Sequence, residues 1–319
     1  MNSTLPTNEA KPIASLAGHT DRVITLTFSP DRCFLASSSR DGSARIWDVA
    51  HRRPRDRGIL ESHGDPVHGL AFSPNGRRLA IGSAALNGFV WVFDITEKHP
   101  QEVAVLKGAR GAVDALAFSP DSKLVAGAGE DGTLRVWEPY PGTTGAPRTQ
   151  LIGNRGPVRT LAFAPDGQGA ASVASDSAVR LWGLSRIRSS ERAAIPHATE
   201  VRCVAYSPDG KTLATGGNDQ VIRLWDLTAI TPRLRCEFKS HSGAVRELVF
   251  TPEGRTLVSV GDDLRVINWD TTTAKLSQEW QLAGVTPACF ALTLDGRYLA
   301  CGTTGGTIEV YRVAEKRTA

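Results

Sequence analysis

Three side-chain types that together perform nucleophilic catalysis recur in this chain at fixed spacing. His197 is followed by Thr215, Asp219 and Trp225 at intervals of 18, 4 and 6 residues. The same intervals separate His19, Ser37, Asp41 and Trp47, and again His241, Ser259, Asp263 and Trp269. A hydroxyl activated by an imidazole, itself oriented by a carboxylate, is the arrangement of acyl transfer: the oxygen attacks and the imidazole takes its proton. One such set facing a cleft would define an active site. Three sets at equivalent places argue instead for a part of the architecture, and the chain is read as carrying no catalytic residues. Other chemistry is absent from the sequence. It has no G-x-x-x-x-G-K-[ST] phosphate loop, no H-E-x-x-H and no C-x-x-C, so neither a metal nor another cofactor is expected.

The elements that carry these residues follow from the stretch His197 to Leu227. A β-prone run from Glu200 to Tyr206 stops at Pro208, Asp209 and Gly210. Thr212 to Gly216 makes a second strand, Asn218 and Asp219 supply another tight turn, and Val221 to Leu227 makes a third. Three antiparallel strands cannot bury their apolar faces alone, so the unit needs neighbours on both sides. The chain provides them. The residue before the first turn recurs as Phe28, Phe72, Phe118, Phe163, Tyr206, Phe250 and Leu292, a period of about 44 residues. The turn itself reads SPDR, SPNG, SPDS, APDG, SPDG, TPEG and TLDG. The third strand ends in Trp47-Asp48, Phe93-Asp94, Trp137-Glu138, Trp182-Gly183, Trp225-Asp226, Trp269-Asp270 and Tyr311-Arg312. Ahead of each first strand stands a Gly-His position, kept as Gly18-His19 and altered in the other copies.

This pattern resembles the WD-repeat (WD40) family, whose period, Gly-His start and Trp-Asp end mark the four-stranded blades of a β-propeller. Seven copies in register over residues 13 to 313 imply an all-β, seven-bladed propeller of four-stranded antiparallel blades. The resemblance further implies one propeller over residues 12–314, with Ile13 to Leu16 as the outer strand of blade 7. Residues 1–11 are expected to be a flexible lead and residues 315–319 a tail. Within blades, the resemblance implies a hydrogen-bonded chain from Trp to hydroxyl to His to Asp. Blades 1, 5 and 6 hold the full set, blade 4 substitutes Asn154 for His, and the set decays in blades 2, 3 and 7.

Partner contacts in the resembled family concentrate on the face bearing the turns between second and third strands. Carried onto this sequence, those places hold Arg22, Arg40, His68, Asp114, Glu130, Arg159, Arg202, Arg246 and Asp262, with Glu200 and Asn218 beside Arg202. Arg159, Arg202 and Arg246 occupy one equivalent position in successive blades. Converging guanidinium forks would suit an acidic or phosphorylated peptide, whereas pairing with neighbouring acids would leave them structural. The expected function is therefore a protein-interaction platform that recruits protein or peptide partners. The second reading is a regulatory module that senses an acidic or phosphorylated ligand for a separate effector enzyme.

Composition narrows the remaining classes. A formal charge of +4 over 319 residues is too small to argue nucleic-acid binding, even with the basic loops His51 to Arg57 and Arg186 to Arg192. The five cysteines are odd in number and lie in or beside strands, which suggests reduced thiols in a cytoplasmic protein. No apolar run is long enough to span a bilayer, and no secretory signal is visible. A monomer without membrane contact is expected. Trp91, standing where other blades have arginine, is read either as an exposed contact or as inter-blade packing.

Overall fold

The computed structural model describes residues 8–51, 54–60, 62–185 and 189–313. Every regular element among them is a β-strand, arranged in seven sheets. Blade 5 shows how the repeat folds. Val201–Tyr206, Thr212–Gly217, Val221–Asp226 and Arg233–Lys239 pair in chain order as one antiparallel sheet. Its first turn is closed by its own side chains: Ser207 Oγ donates to Asp209 Oδ1 at 2.6 Å, and that oxygen accepts the Lys211 N–H at 3.0 Å. Gly210 takes the left-handed φ of 70° that the turn requires. In blades 1 and 3 the same place is held by Arg32 and Ser122 at φ 65° and 60°. That conformation costs a residue with a Cβ about 1 kcal/mol, and the Ser29–Asp31 and Ser119–Asp121 contacts hold it.

The inner strands Val23–Phe28, Val67–Phe72, Val113–Phe118, Val158–Phe163, Val201–Tyr206, Val245–Phe250 and Pro287–Leu292 each touch the next. The last touches the first, and the ring is closed. Seven apolar clusters fill the seven gaps between neighbouring blades. Between blades 7 and 1, for example, Leu16, Ala291, Ala300, Ile308 and Val310 meet Val23, Leu26, Leu35 and Trp47. The core is thus inter-blade, as the lone repeat's unburied faces demanded.

Closure uses the start of the chain. Strand β1 covers Asn8–Ala10 and β2 covers Pro12–Leu16. The β2 strand completes blade 7 antiparallel to Ile308–Arg312, with Leu16 opposite Ile308 and Pro12 opposite Tyr311, as the repeat pattern implied. The flexible lead expected over residues 1–11 requires correction at its end. The β1 strand lies parallel to Lys275–Leu282 and adds a fifth strand to blade 6, with Asn8 opposite Trp280 and Ala10 opposite Leu282. Polar composition concealed it because only one side chain needs cover: Ala10 is buried against Trp280 and Leu282, and its carbonyl accepts the Ala283 N–H at 3.1 Å. Residues 1–7 and the tail from 314 lie outside the described residues.

Candidate functional site

In blades 1 and 6 the repeated polar set forms one chain. Trp47 Nε1 donates to Ser37 Oγ at 2.8 Å, Ser37 meets His19 Nε2 at 2.7 Å, and His19 Nδ1 meets Asp41 at 2.9 Å. Blade 6 repeats it through Trp269, Ser259, His241 and Asp263 at 2.8, 2.7 and 3.0 Å. The aspartates also accept backbone N–H groups, from Thr20 at 3.0 Å and Ser242 at 2.8 Å. These are triad-like contacts, yet Ser37, Ser259 and Thr215 are fully buried. Each hydroxyl already accepts an indole N–H, and no acyl carbon could approach it.

Blade 5 departs from the chain expected of His197, Thr215, Asp219 and Trp225. Trp225 and His197 still meet Thr215, both at 3.0 Å, but His197 Nδ1 faces the Ile195 carbonyl at 3.1 Å. Asp219 instead accepts from Arg223 at 2.6 Å. The cause is a competing donor four residues on, as in blades 3 and 4, where Arg135 takes Asp131 and Arg180 takes Asp176, each at 2.6 Å. In blade 1 the equivalent Arg45 is drawn away to Asp56, and in blade 6 Arg265 reaches Glu279 at 2.6 Å. The turn aspartate is therefore satisfied in two ways, by imidazole and backbone or by guanidinium. Blade 4 passes its chain from Trp182 through Ser172 to Asn154. In blade 3, Trp137 donates to the Lys107 carbonyl at 2.9 Å, because Gly127 offers no hydroxyl. Blade 2 diverts His63 to Glu102 at 2.7 Å.

Burial lowers the pKa of His19 and His197, keeping both imidazoles neutral. The carboxyls of Asp41, Asp131, Asp176 and Asp263 sit below the usual range, because the hydrogen bonds they accept outweigh the burial that opposes ionisation. A folded pKa below the unfolded value gives stability that is present above about pH 4 and lost as pH falls through the folded value. Thermal melts of the chain between pH 4 and 2 should therefore show a steep fall in melting temperature. Asp263→Asn should flatten part of that slope; an unchanged slope would remove this carboxylate from the acid transition.

At the channel mouth the predicted contact residues meet in an order that spacing alone did not reveal. His68 Nδ1 lies 3.0 Å from Asp114, Asp114 lies 4.0 Å from Arg159, and Arg159 Nε lies 3.8 Å from Glu200. Glu200 pairs with Arg202 at 3.1 Å, and Arg202 Nε donates to Asn218 at 3.0 Å. From Asp114 to Arg202 the signs thus alternate across blades 3 to 5, with His68 and Asn218 hydrogen-bonded at the two ends. Arg246 stands apart, paired with Asp262 at 2.8 Å. Glu130 caps the Ala112 N–H at 3.3 Å. Arg22 and Arg40 are exposed and make no ion pair among the described residues. The equivalent positions pointed to these residues, but the bridges between blades depend on side-chain reach across the ring and left no periodic signal.

The basic loops fall partly outside the described residues, at positions 52, 53 and 186–188. Trp91 is buried between blades 1 and 2, where it packs rather than contacts solvent. Among the described residues, no group of three or more His, Cys, Asp or Glu side chains is arranged to hold a metal ion.

Repeated four-stranded blades, their Trp-to-Asp chains and a ring closed by the first strands define a WD-type propeller. The family profile described as "WD domain, G-beta repeat" matches residues 10–48, 55–94, 100–138, 145–183, 191–226 and 232–270, and the chain belongs to that family. The unmatched seventh copy is blade 7, which carries Val285, Cys301 and Tyr311 where blade 6 has His241, Ser259 and Trp269. Such propellers are typically protein-interaction platforms and are generally non-catalytic. Relatives match over short stretches. Coronin-7 of Bos taurus is 44% identical over 70 residues, covering 22% of this chain and 7% of the relative. DDB1- and CUL4-associated factor 13 of Dictyostelium discoideum is 38% identical over 72 residues, covering 22% and 16%. Target of rapamycin complex subunit wat1 of Schizosaccharomyces pombe is 35% identical over 69 residues, covering 22% and 21%. The matched stretches thus span under a quarter of each of these curated relatives.

Proposed function

We propose that this propeller is a non-catalytic platform whose protein partner docks over the channel mouth. The observation that carries this reading is the chain of ion pairs from Asp114 to Arg202, ended by His68 and Asn218 and set on adjoining inner strands and the turns beside them. Exposed ion pairs contribute little to stability, so such a chain can exchange partners without loosening the ring. A rigid surface of alternating sign suits a partner bearing both signs, by complementarity.

The regulatory reading, in which an acidic or phosphorylated segment is sensed for a separate effector enzyme, has its own support. Arg22 and Arg40 are unpaired, and Arg159 is held only at 3.8 and 4.0 Å, leaving guanidinium forks for a carboxylate or phosphate. Free thiols at all five cysteines support placement in the cytoplasm, where the chain would act as a monomer. Affinity capture followed by mass spectrometry tests the platform. A defined protein should be retained, and its capture should fall about tenfold or more when Arg22, Arg40 and Arg159 are all replaced by Glu. Unchanged capture by a variant that melts like the parent would exclude the mouth; nucleic acid eluting with salt would favour a different class of partner.

A further inference from the structure

Glu247 breaks the pattern of its equivalent positions around the ring. Its position on the inner strand is taken in the other blades by Thr25, Gly69, Ala115, Thr160, Cys203 and Cys289, all small and uncharged. Its equivalents Ala115 and Cys203 are buried in the clusters shared with the next blade, so Glu247 leaves the strand on the face opposite Leu248 and from there borders the cavity described below. Two residues on, the same strand face is equally plain: Thr27, Ala71, Ala117, Ala162, Ala205, Val249 and Ala291. Among the described residues nothing gives Glu247 a hydrogen bond or an ion pair.

The carboxylate borders a cavity of about 360 Å³ at the lower end of the channel. Leu26, Phe28, Phe72, Val249, Leu292 and Leu294 supply its apolar wall, and Glu247 is its one charged lining residue. Ser29, Pro30 and Pro74, from the turns after the first strands, sit at its rim. Antiparallel pairing puts those turns at the opposite end of the ring from the charged mouth. The cavity is therefore independent of the docking surface proposed above.

We propose that this cavity is a binding site for an aliphatic ammonium group, paired to Glu247 and enclosed by the surrounding apolar side chains. Three features favour that chemistry over others. An anion would meet a carboxylate, and a neutral apolar guest would cover that half-buried carboxylate without giving it a partner. A compact ammonium on a hydrocarbon stem satisfies both the charge and the wall, to which Phe28 and Phe72 contribute. A carboxylate so placed is also poised for the exchange: enclosure alone pushes the Glu247 pKa up to about 8, so an empty site holds a proton that an ammonium displaces. The titratable neighbours do not offset this. Cys203 and Cys289, flanking it in blades 5 and 7, are themselves pushed up, and their S–H groups face backbone carbonyls of Val245 and Val23 at 3.6 and 3.7 Å. Arg246, the adjacent residue, is committed to Asp262, and Arg202 to Glu200. Across the ring, His68, Asp114 and Arg159 stand at the far mouth and contact one another.

Calorimetric titration of the full chain with 1,5-diaminopentane, and in parallel with an acetylated, amidated Gly-Lys-Gly peptide, tests the site. Saturable one-to-one binding is expected from at least one of them, showing whether a free amine or a lysine side chain enters. Affinity should fall by about tenfold for each pH unit below 8, with a proton released on binding, as measured in buffers of different ionisation enthalpy. Glu247→Gln, which keeps the shape, should lose binding while still melting cooperatively. Binding of pentan-1-ol as tight as that of the diamine, binding retained in the Gln variant, or no saturable heat from either amine at pH 8.5 would overturn the proposal.

Discussion

Removal of residues 1–16 is expected to lower the melting temperature by about 10 °C, a larger effect than any single substitution on the surface. Two strands disappear together. Without β2, the strand Ile308–Arg312 loses its ladder from Pro12 to Leu16, and the buried Leu16 leaves the cluster that joins blade 7 to blade 1. Without β1, Trp280 and Leu282 lose the cover of Ala10 in the cluster joining blades 6 and 7. One lost leucine contributes about 2 kcal/mol and the broken ladder a few more, giving a loss of about 5 kcal/mol. At about 2 °C per kcal/mol for a domain of this size, that becomes the stated shift. The two newly opened strand edges are also templates for association, so the truncated chain should show a concentration-dependent size in light scattering. Deletion of residues 1–11 alone separates the contributions: it keeps β2 and should lower the midpoint by only about 3 °C. A chain lacking residues 1–16 that melts with the parent would mean that the ring does not depend on this closure.

The propeller was legible because its information is repeated. Seven copies of a turn and of an aromatic third-strand end, three of them Trp-Asp, give the strand register that a single copy leaves ambiguous, and the family resemblance implied the closing strand β2. The β1 strand carried no such signal, since a three-residue parallel addition rests on backbone bonds and one buried alanine. The same limit applies to the site. Equivalent positions placed Arg159, Arg202 and Arg246 near one mouth, but pairing with Glu200, Asn218 and Asp262 depends on side-chain conformers. Glu247 stands out only when the equivalent positions of all seven blades are set side by side, because by itself a glutamate in a strand suggests a solvated face.

The two ways of satisfying the turn aspartate predict unequal costs for one substitution. Asp263→Ala in blade 6 should destabilise the chain by about 3 kcal/mol, and Asp219→Ala in blade 5 by about 1 kcal/mol. Asp263 is nearly closed to solvent and serves three donors: His241 at 3.0 Å, the Ser242 N–H at 2.8 Å and the Arg265 N–H at 3.2 Å. Its removal strands a buried imidazole whose other nitrogen is already committed to Ser259. Asp219 is more accessible, and its principal donor, Arg223, keeps Glu237 at 3.0 Å when the aspartate is gone. The imidazole of His197 is indifferent to the change because it faces the Ile195 carbonyl. Urea denaturation of both variants measures the difference directly through midpoints at constant slope. Equal losses would show that His197 swings to Asp219 in solution and that blade 5 is held as blades 1 and 6 are. A larger loss at Asp219 would mean that the arginine arrangement, repeated in blades 3 and 4, is the stronger of the two.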